Sequence, residues 1–306
     1  MYQVISIGSA LVDIFIHSKD FTSEDTDNGR MLCQSYGDKL KVDHFNVYTG
    51  GGASNTAVGF ARMGFRAGII AETGRDHFSS LVMTDLSSND VGTQLIIKEK
   101  KEQTGGSVIL VGVDGERTVL VHRGASSMLD PYDIPSYRLI QAEWVHLTSI
   151  AGRIKALEKI FKVVSKQNHL KLSWNPGKAE LKFLAEGRVS FDQIPCQVLF
   201  VNQQEWEMIG KVQDEAIKSC AQVIITNGKK GGQLFVAGKD KGKFPSSRHE
   251  AVDTTGAGDA FACGYVSGQI MKKSPLDSIK IGVKNAGSVV GHYGAKAGLL
   301  RKNQLH

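Results

Sequence analysis

The chain has 306 residues and a formal net charge of +6, with 41% hydrophobic and 22% charged residues. These values are ordinary for a soluble globular protein, and the length suits one large domain with an appendage or two average domains. The lysines lie in short scattered groups, which is typical of a solvated surface rather than a nucleic-acid-binding patch. We therefore expect no nucleic-acid partner.

Cysteine usage and hydropathy indicate the cellular setting. The four cysteines, Cys33, Cys196, Cys220 and Cys263, form no C-x-x-C pair, so neither a disulfide framework nor a zinc site is predicted. The apolar run 4–16 has no basic leader and contains Asp13, which favours a buried strand over a signal peptide. No window reaches the length of a membrane span. We expect a cytoplasmic protein with no membrane partner.

In chain order, apolar runs typical of strands alternate with amphipathic stretches typical of helices. After the run 4–16, strands are predicted at 67–70, 144–147, 170–174, 198–201, 223–226 and 232–236. Helical patterns cover 53–63, 153–165 and 260–272. This alternation predicts a mostly parallel sheet covered by helices.

Two segments interrupt the alternation. Residues 14–49 are polar and irregular, with a short alternating stretch at 39–42. Residues 93–123 contain a predicted hairpin in which strands at 108–113 and 116–122 flank Asp114-Gly115, a favoured two-residue turn. We expect these two segments to form a small β lid, and residues 1–13, 50–92 and 124–306 to form a large α/β domain.

The most informative segment is Asp253-Thr254-Thr255-Gly256-Ala257-Gly258-Asp259-Ala260-Phe261, which leads into an apolar helix. Small residues at a helix N-terminus leave backbone N–H groups free to hold the oxygens of a phosphoryl group. Phosphoryl transfer also needs a carboxylate that accepts the proton of the attacking hydroxyl, and Asp259 lies beside those amides. The alternative is a plain glycine turn before a helix, and the length and composition of the segment make it the weaker interpretation.

A second glycine-rich segment, Gly50-Gly51-Gly52-Ala53-Ser54-Asn55, precedes another predicted helix. Its glycines permit close backbone approach and suit a hinge, and Asn55 can donate and accept hydrogen bonds toward hydroxyl groups. By itself the segment is equally consistent with a flexible loop before a helix. Asp13 is a charged residue in an apolar run, where it needs a partner; it could accept from two hydroxyls of a ligand, or serve as an N-cap or ion-pair residue.

Together these segments resemble the two signatures of the ribokinase-like (PfkB-type) carbohydrate kinases. The resemblance implies a ribokinase-like three-layer α/β/α domain with a mostly parallel central sheet and a small β-sheet lid. It also implies transfer of the γ-phosphate of ATP to a hydroxyl of a small sugar. Its site residues would be Asp259 as base, the amides of Gly256, Ala257 and Gly258 as anion hole, Gly50 and Gly51 as the hinge beside the substrate, and Asn55 and Asp13 as substrate ligands.

The resemblance extends to the nucleotide and cations. Asn202-Gln203-Gln204-Glu205 is similar to the family's N-x-x-E motif, so Asn202 would help arrange the phosphates and Glu205 would bind Mg²⁺ through water. Asp253 and Thr255 would contribute to a monovalent-cation site, with K⁺ as the expected ion. The predicted nucleotide contacts are Thr226, Gly228 and Asn285.

The substrate is left open between two classes. Leu11 stands where ribokinases usually have Asn, and Thr148 replaces their acidic sugar ligand, which weakens an assignment to ribose itself. Arg123 could reach a polar or anionic substrate, or lie in solvent. We expect a small sugar or sugar derivative, with a nucleoside such as adenosine as the alternative and a non-catalytic sugar-binding member of the fold as a third. Lids of this kind often pair, so a homodimer through the lid is also expected.

Enzymes of other classes fit the sequence less well. A P-loop NTPase would need a Lys that the nearest match, 282–288, lacks. A dinucleotide-dependent dehydrogenase would need G-x-G-x-x-G after the first strand, where the chain has only Gly8-Ser9-Ala10.

Overall fold

The computed structural model describes residues 1–27, 29–249 and 251–305. Its strands are β1 (Val4–Ile7), β2 (Leu11–His17), β3 (Thr22–Thr26), β4 (Gly29–Cys33), β5 (His44–Gly50), β6 (Ala67–Thr73), β7 (Ile96–Lys98), β8 (Gly106–Val111), β9 (Arg117–His122), β10 (Trp144–Leu147), β11 (Lys171–Trp174), β12 (Cys196–Asn202), β13 (Gln222–Thr226), β14 (Gly232–Val236) and β15 (Lys239–Phe244). Its α-helices are α1 (Gly52–Arg62), α2 (His77–Ser88), α3 (Ser136–Leu139), α4 (Ile154–Ser165), α5 (Lys178–Ala185), α6 (Gln203–Ile209), α7 (Gln213–Ser219), α8 (Ala257–Ile270) and α9 (Pro275–Val290).

A large sheet forms the body, with the order β15-β14-β13-β12-β11-β10-β1-β6-β7. Its strands pair in parallel except for the edge strands β14 and β15, which pair antiparallel. Successive strand residues point to opposite faces, so Ile5 and Ile7 pack with α4 and α5, whereas Val4 packs with α1 and α8. The predicted three-layer α/β/α class with a mostly parallel sheet is confirmed.

A second sheet has the order β5-β2-β8-β9, and we call it the lid. Strand β2 runs antiparallel to β5 and parallel to β8, and β8 runs antiparallel to β9. A separate exposed hairpin pairs β3 with β4. The lid carries Asp13 in β2, where it lies opposite Tyr48 of β5 and Ser107 of β8.

Several predicted boundaries differ from the structure. The apolar run 4–16 is two strands, because Gly8, with φ of +150°, breaks the chain between β1 in the large sheet and β2 in the lid. Asp13 therefore does not lie in the first strand of the body. Residues 96–98 belong to the large sheet, since β7 pairs with β6 there, and residues 39–42 form no strand.

The predicted lid hairpin is present with a longer turn. Between β8 and β9 the Gly112 N–H donates to the Glu116 carbonyl at 2.9 Å, and the Gly115 N–H donates to the Gly112 carbonyl at 3.0 Å. Gly115 has φ of +79°. The loop thus has the three-residue form with a left-handed glycine rather than the two-residue turn that Asp114-Gly115 predicts.

Within the described ranges, the helices are all too short or too polar to cross a lipid bilayer.

Candidate active site

The N-terminus of α8 offers an anion-binding site. The helix follows Gly256, which has φ of +74° and on which a Cβ would lie 2.3 Å from the Cβ of Ala295, so both conformation and space require glycine. A Cβ on Gly258 would meet no atom within 4 Å, so this residue faces open space. In the described part of the chain, no hydrogen bond reaches the N–H groups of Gly258 and Asp259, whereas the Ala257 N–H donates to the Thr254 carbonyl at 3.3 Å. The free amides lie at the positive end of a 14-residue helix.

Asp259 lies half-buried in the first turn of α8, and its Oδ2 accepts a 2.8 Å hydrogen bond from the Asn55 side-chain amide. Burial raises the pKa of this carboxyl to about 6, the Asn55 hydrogen bond opposes that rise, Glu205 adds to it and Lys296 opposes it. At neutral pH the group is ionised but more basic than an ordinary aspartate. A carboxylate of this kind is suited to accept a proton.

Asn55 links the two predicted motifs and has one free acceptor. It lies in the second turn of α1, and its side-chain amide donates to Asp259. Its Oδ1 is buried and has no hydrogen-bond partner among the residues that the structure describes. Because buried acceptors are rarely left unpaired, this oxygen is a good candidate to accept a hydrogen bond from a hydroxyl of a ligand.

Asp13 faces the same cleft from the lid. Its carboxylate accepts a hydrogen bond from the Ser107 hydroxyl. A Cβ on Gly50 would lie 2.1 Å from Asp13 Oδ2, so the glycine leaves room for this carboxylate. Burial raises the pKa of Asp13, against the effect of Ser107 and of Lys296. At Gly51, φ is +95° and a Cβ would meet the Ser9 carbonyl oxygen at 2.5 Å, which fits a turn that only glycine can make.

Lys296 is a buried cation that no sequence motif predicts. Its Nζ donates to Asp85 Oδ2 at 2.6 Å, to the Ser54 hydroxyl at 2.6 Å and to the Thr49 hydroxyl at 2.9 Å. Burial lowers its pKa, and Asp85 opposes that change. The group interacts electrostatically with both Asp13 and Asp259. It therefore places one positive charge behind the two carboxylates of the cleft.

The predicted nucleotide residues lie at the carboxyl ends of adjacent strands. Asn202 of β12 is the register partner of Thr226 of β13. Thr226 and Gly228 line a cavity that reaches the start of α8 at Ala257 and Gly258. The rest of its wall includes an apolar side formed by Phe244, Phe261, Val283, Ala286 and Val290. Such a cavity, apolar at one end and open to an anion site at the other, suits a nucleotide.

Asn285 is not part of this cavity, contrary to the prediction. It is fully buried, its side-chain amide donates to the Ala260 carbonyl at 2.7 Å, and its Oδ1 accepts from the Leu300 N–H at 2.9 Å. Both polar ends are thus used to hold α8, α9 and the C-terminal segment together. On α9 the neighbouring residues Val283, Ala286 and Gly287 face the cavity instead.

Glu205 is positioned by a capping box at the start of α6. Its Oε2 accepts from the Asn202 N–H at 2.8 Å, and Asn202 Oδ1 accepts from the Glu205 N–H at 2.9 Å. Burial raises the pKa of Glu205. Over the described residues, no three His, Cys, Asp or Glu side chains gather as a metal-binding group. A single carboxylate near the anion site fits Mg²⁺ that takes its other ligands from water and phosphate oxygens.

Asp253 and Thr255 adjoin the anion site, and an arginine of the lid contacts them. Asp253 Oδ1 accepts from the N–H and the hydroxyl of Thr255 at 2.9 and 2.7 Å, and Oδ2 accepts from the Gly294 N–H at 3.0 Å. Arg117 of β9 donates to Asp253 Oδ1 at 3.0 Å. No sequence motif predicts this role of Arg117.

Two predicted substrate residues are not brought into the cleft. Thr148 is buried, and its hydroxyl donates to the Ile7 carbonyl at 3.2 Å. Cβ atoms on Gly8 and Gly52 would lie 1.9 and 2.7 Å from this hydroxyl, so it is covered by backbone. Arg123 is exposed at the end of the lid hairpin, and its guanidinium has no hydrogen bond to any described residue. Thr148 therefore has a packing role here, and Arg123 stays a prediction.

Proteins with similar sequences and folds include kinases. Residues 1–302 match the family described as pfkB family carbohydrate kinase. The ribokinase of Staphylococcus aureus strain COL is 26% identical over 313 residues, covering 97% of this chain and 96% of that protein.

Solved structures share the fold at lower identity. A putative ribokinase II from E. coli in complex with ATP and Mg²⁺ has a TM-score of 0.81 at 18% identity, covering 100% of this chain and 98% of that one. The adenosine kinase of Sinorhizobium meliloti has a TM-score of 0.75 at 22% identity, covering 96% and 95%. The family match spans nearly the whole chain and includes both glycine-rich segments of the site. The chain therefore belongs to the pfkB family of carbohydrate kinases.

Proposed function

We propose that the protein transfers the γ-phosphate of ATP to a hydroxyl group, in particular a hydroxymethyl group, of a small sugar or sugar derivative. The observation that carries the proposal is the placement of Asp259 beside the free amides of Gly258 and of its own backbone, with Asn55 bound to its carboxylate. A base and an anion hole side by side are the two groups that in-line phosphoryl transfer requires from a protein.

The proposed reaction uses the cleft residues as follows. Asp13 and Asn55 Oδ1 accept hydrogen bonds from the substrate and aim one hydroxyl at the nucleotide. Asp259 takes the proton of that hydroxyl as its oxygen bonds to the γ-phosphorus and the bond to the ADP oxygen breaks. The amides at the start of α8 stabilise the charge on the phosphoryl oxygens in transfer. Mg²⁺ near Glu205 would neutralise charge on the phosphates of bound ATP.

A screen of acceptors tests the proposal. Release of ADP from ATP would be followed with pentoses, hexoses, ketosugars and nucleosides as acceptors, with Mg²⁺ present. We expect release that depends on one sugar class and on Mg²⁺. Silence across the whole panel would contradict a kinase and favour a sugar-binding protein without turnover.

A nucleoside is the second candidate substrate, because the wall beside Asp13 is partly apolar. The Leu11 side chain would lie 3.4 Å from a Cβ on Gly50, next to the Asp13 carboxylate. The rings of Phe15 and Tyr48 meet edge to face at 5.6 Å on the same lid face. Apolar and aromatic groups beside a diol-binding carboxylate suit a base attached to a ribose. Preference for adenosine over free sugars in the screen would decide for this candidate.

We propose that the protein works in the cytoplasm. We further propose that two lids pair into a homodimer. The lid face turned away from Asp13 carries an apolar row, Val47, Ile14, Val108 and Leu120, that crosses the four strands. Val47 is 43% exposed and Leu120 is 56% exposed. Ile14 already packs against the core of the body, so a second copy of the same face would cover the exposed Val47 and Leu120.

A further inference from the structure

The position assigned to a monovalent cation is taken by a side chain of the lid. Arg117 Nη1 donates to Asp253 Oδ1 at 3.0 Å and to the Thr255 hydroxyl at 3.1 Å, and Nη2 donates to the Thr254 hydroxyl at 3.0 Å. One guanidinium thus contacts three successive residues of the loop that leads into the anion hole. Asp253 and Thr255, the residues that the family resemblance assigns to a monovalent cation, thus already bind a positively charged side chain of the chain itself.

The register of the lid explains how Arg117 reaches this loop. Val111 of β8 pairs with both His17 of β2 and Arg117 of β9. Residues in one row point to the same face, so Arg117 shares a face with His17 and, four residues away along β2, with Asp13. The His17 ring also meets the Tyr293 ring at 5.6 Å. This face of the lid therefore contacts the body at Tyr293 and at the loop that contains Asp253.

The charge balance of the cleft gives the contact a role. The Asp253 side chain is only 4% exposed, and Asp253 acts electrostatically on Asp13 by raising its pKa. Together with Asp259 they form a group of carboxylates into which a polyanionic nucleotide must bind. A buried carboxylate without a positive partner is costly, and it repels phosphate. Arg117, which comes from the lid, provides that partner.

We propose that Arg117 is a built-in replacement for the monovalent cation, a positioning residue that supplies positive charge at Asp253 when the lid closes. Phosphoryl transfer would then be independent of K⁺, and the charge beside the anion hole would be complete only over a covered substrate. The turnover part of this proposal rests on the kinase function proposed above. The cation-replacement part does not, because it concerns the occupancy of Asp253 and Thr255.

The test compares the unaltered protein with Arg117→Gln, Arg117→Lys and the control Arg30→Gln. Arg30 also belongs to a hairpin near the lid and pairs with Asp114 at 2.8 Å, but it does not touch the Asp253 loop. Melting temperature would be measured in KCl, NaCl and choline chloride at about 0.1 M each, where general screening is the same. Turnover would be measured in the same salts.

We expect the unaltered protein and Arg30→Gln to melt and turn over equally in the three salts. Arg117→Gln should lose at least about tenfold in turnover in choline chloride. Of the three salts, only KCl should raise the melting temperature of Arg117→Gln in a saturable way. KCl should also restore part of the turnover that this variant lost. Arg117→Lys should retain more activity than Arg117→Gln in choline chloride, because it keeps the charge.

Two results would overturn the proposal. One is a K⁺-specific rise in the melting temperature of the unaltered protein, because it would show that an ion binds with Arg117 present. The other is a loss of turnover in Arg117→Gln that K⁺ does not restore, together with no K⁺-specific rise in the melting temperature of that variant. If the protein proves inactive on every acceptor, the melting temperatures in the three salts still decide whether Arg117 replaces the cation.

Discussion

At the scale of single residues, the ionisation of Asp259 should set the pH dependence of the proposed phosphoryl transfer. Its pKa is raised to about 6, chiefly by burial, and a base accepts a proton only when it is ionised. Because the raised pKa marks the point below which the base is protonated, kcat/KM should be level above pH 6. It should fall about tenfold per pH unit below that point. A profile with its inflection near pH 4, the ordinary aspartate value, would contradict the role of burial.

Asn55 should tune that profile. Its hydrogen bond to Asp259 favours the ionised form and so lowers the pKa of the carboxyl. In Asn55→Ala the inflection of kcat/KM should therefore move to higher pH, and KM for the acceptor should rise as Oδ1 is lost. The exposed Asn303→Ala is the matched control and should leave both quantities unchanged. If the inflection of kcat/KM stayed at the same pH in Asn55→Ala, the proposed role of Asn55 beside Asp259 would be contradicted.

Sequence reasoning at this scale succeeded where the chemistry is local. The segment from Asp253 to Asp259 carries the proposed base and the free amides within one helical turn, so their proximity follows from the sequence alone. Nothing in the sequence places Arg117 at Asp253 or Lys296 at Asp85, because these pairs are separated by 136 and 211 positions. Asn285 shows the opposite error: its place in α9 was right, but only the packing shows that both ends of its amide are used.

At the scale of elements, Lys296 joins α1, α2 and β5 through Ser54, Asp85 and Thr49. Removing one partner of a buried ion pair leaves an uncompensated charge, so Lys296→Met should lower the free energy of unfolding by about 3 kcal/mol. The double variant Lys296→Met with Asp85→Leu should recover part of that loss, because no lone charge remains. Urea unfolding measures both.

The control for that experiment is the solvent-exposed pair of Lys280 and Asp277. Lys280→Met should leave the unfolding midpoint unchanged, since exposed pairs contribute little. If Lys280→Met and Lys296→Met changed the free energy of unfolding equally, the buried ion pair of Lys296 and Asp85 would contribute no more to stability than an exposed pair.

The elements themselves could be predicted in proportion to their burial. The central strands of the body are buried on both faces, so the boundaries of their apolar runs lie within a few residues of those in the structure. Strands β3 and β4 are mostly exposed and carry Thr, Ser, Glu, Asp and Arg, so no apolar pattern marks them. The run 4–16 appeared continuous because both β1 and β2 are apolar, although they belong to different sheets.

At the scale of the whole molecule, the lid should pair two copies. Leu120→Glu would place a charge in the exposed apolar row of the lid, and we expect it to convert a dimer to a monomer. The mass in solution would be measured by light scattering after size exclusion. Tyr137→Ser is the matched control, because Tyr137 is 59% exposed on α3, away from the lid. A monomeric unaltered protein would contradict the pairing.

The lid and the body both contribute residues to the candidate site. Asp13 and Arg117 come from the lid, whereas Asn55, Asp253 and Asp259 come from the body. The body holds the proposed base and one proposed substrate ligand, Asn55, whereas the lid holds the other, Asp13. The site is therefore complete only when the lid lies on the body, which is a common way to keep water from a phosphoryl group in transfer.

The most direct test of the account is turnover by Asp259→Asn beside the matched variant Asp277→Asn. Both aspartates are the third residue of a helix, Asp259 in α8 and Asp277 in α9, but only Asp259 faces the cleft. With the acceptor found in the screen, Asp259→Asn should fold and bind ATP while kcat falls by roughly 10² to 10⁴-fold. Asp277→Asn should keep its rate. Near-normal turnover by Asp259→Asn would contradict the central claim that this carboxylate is the base.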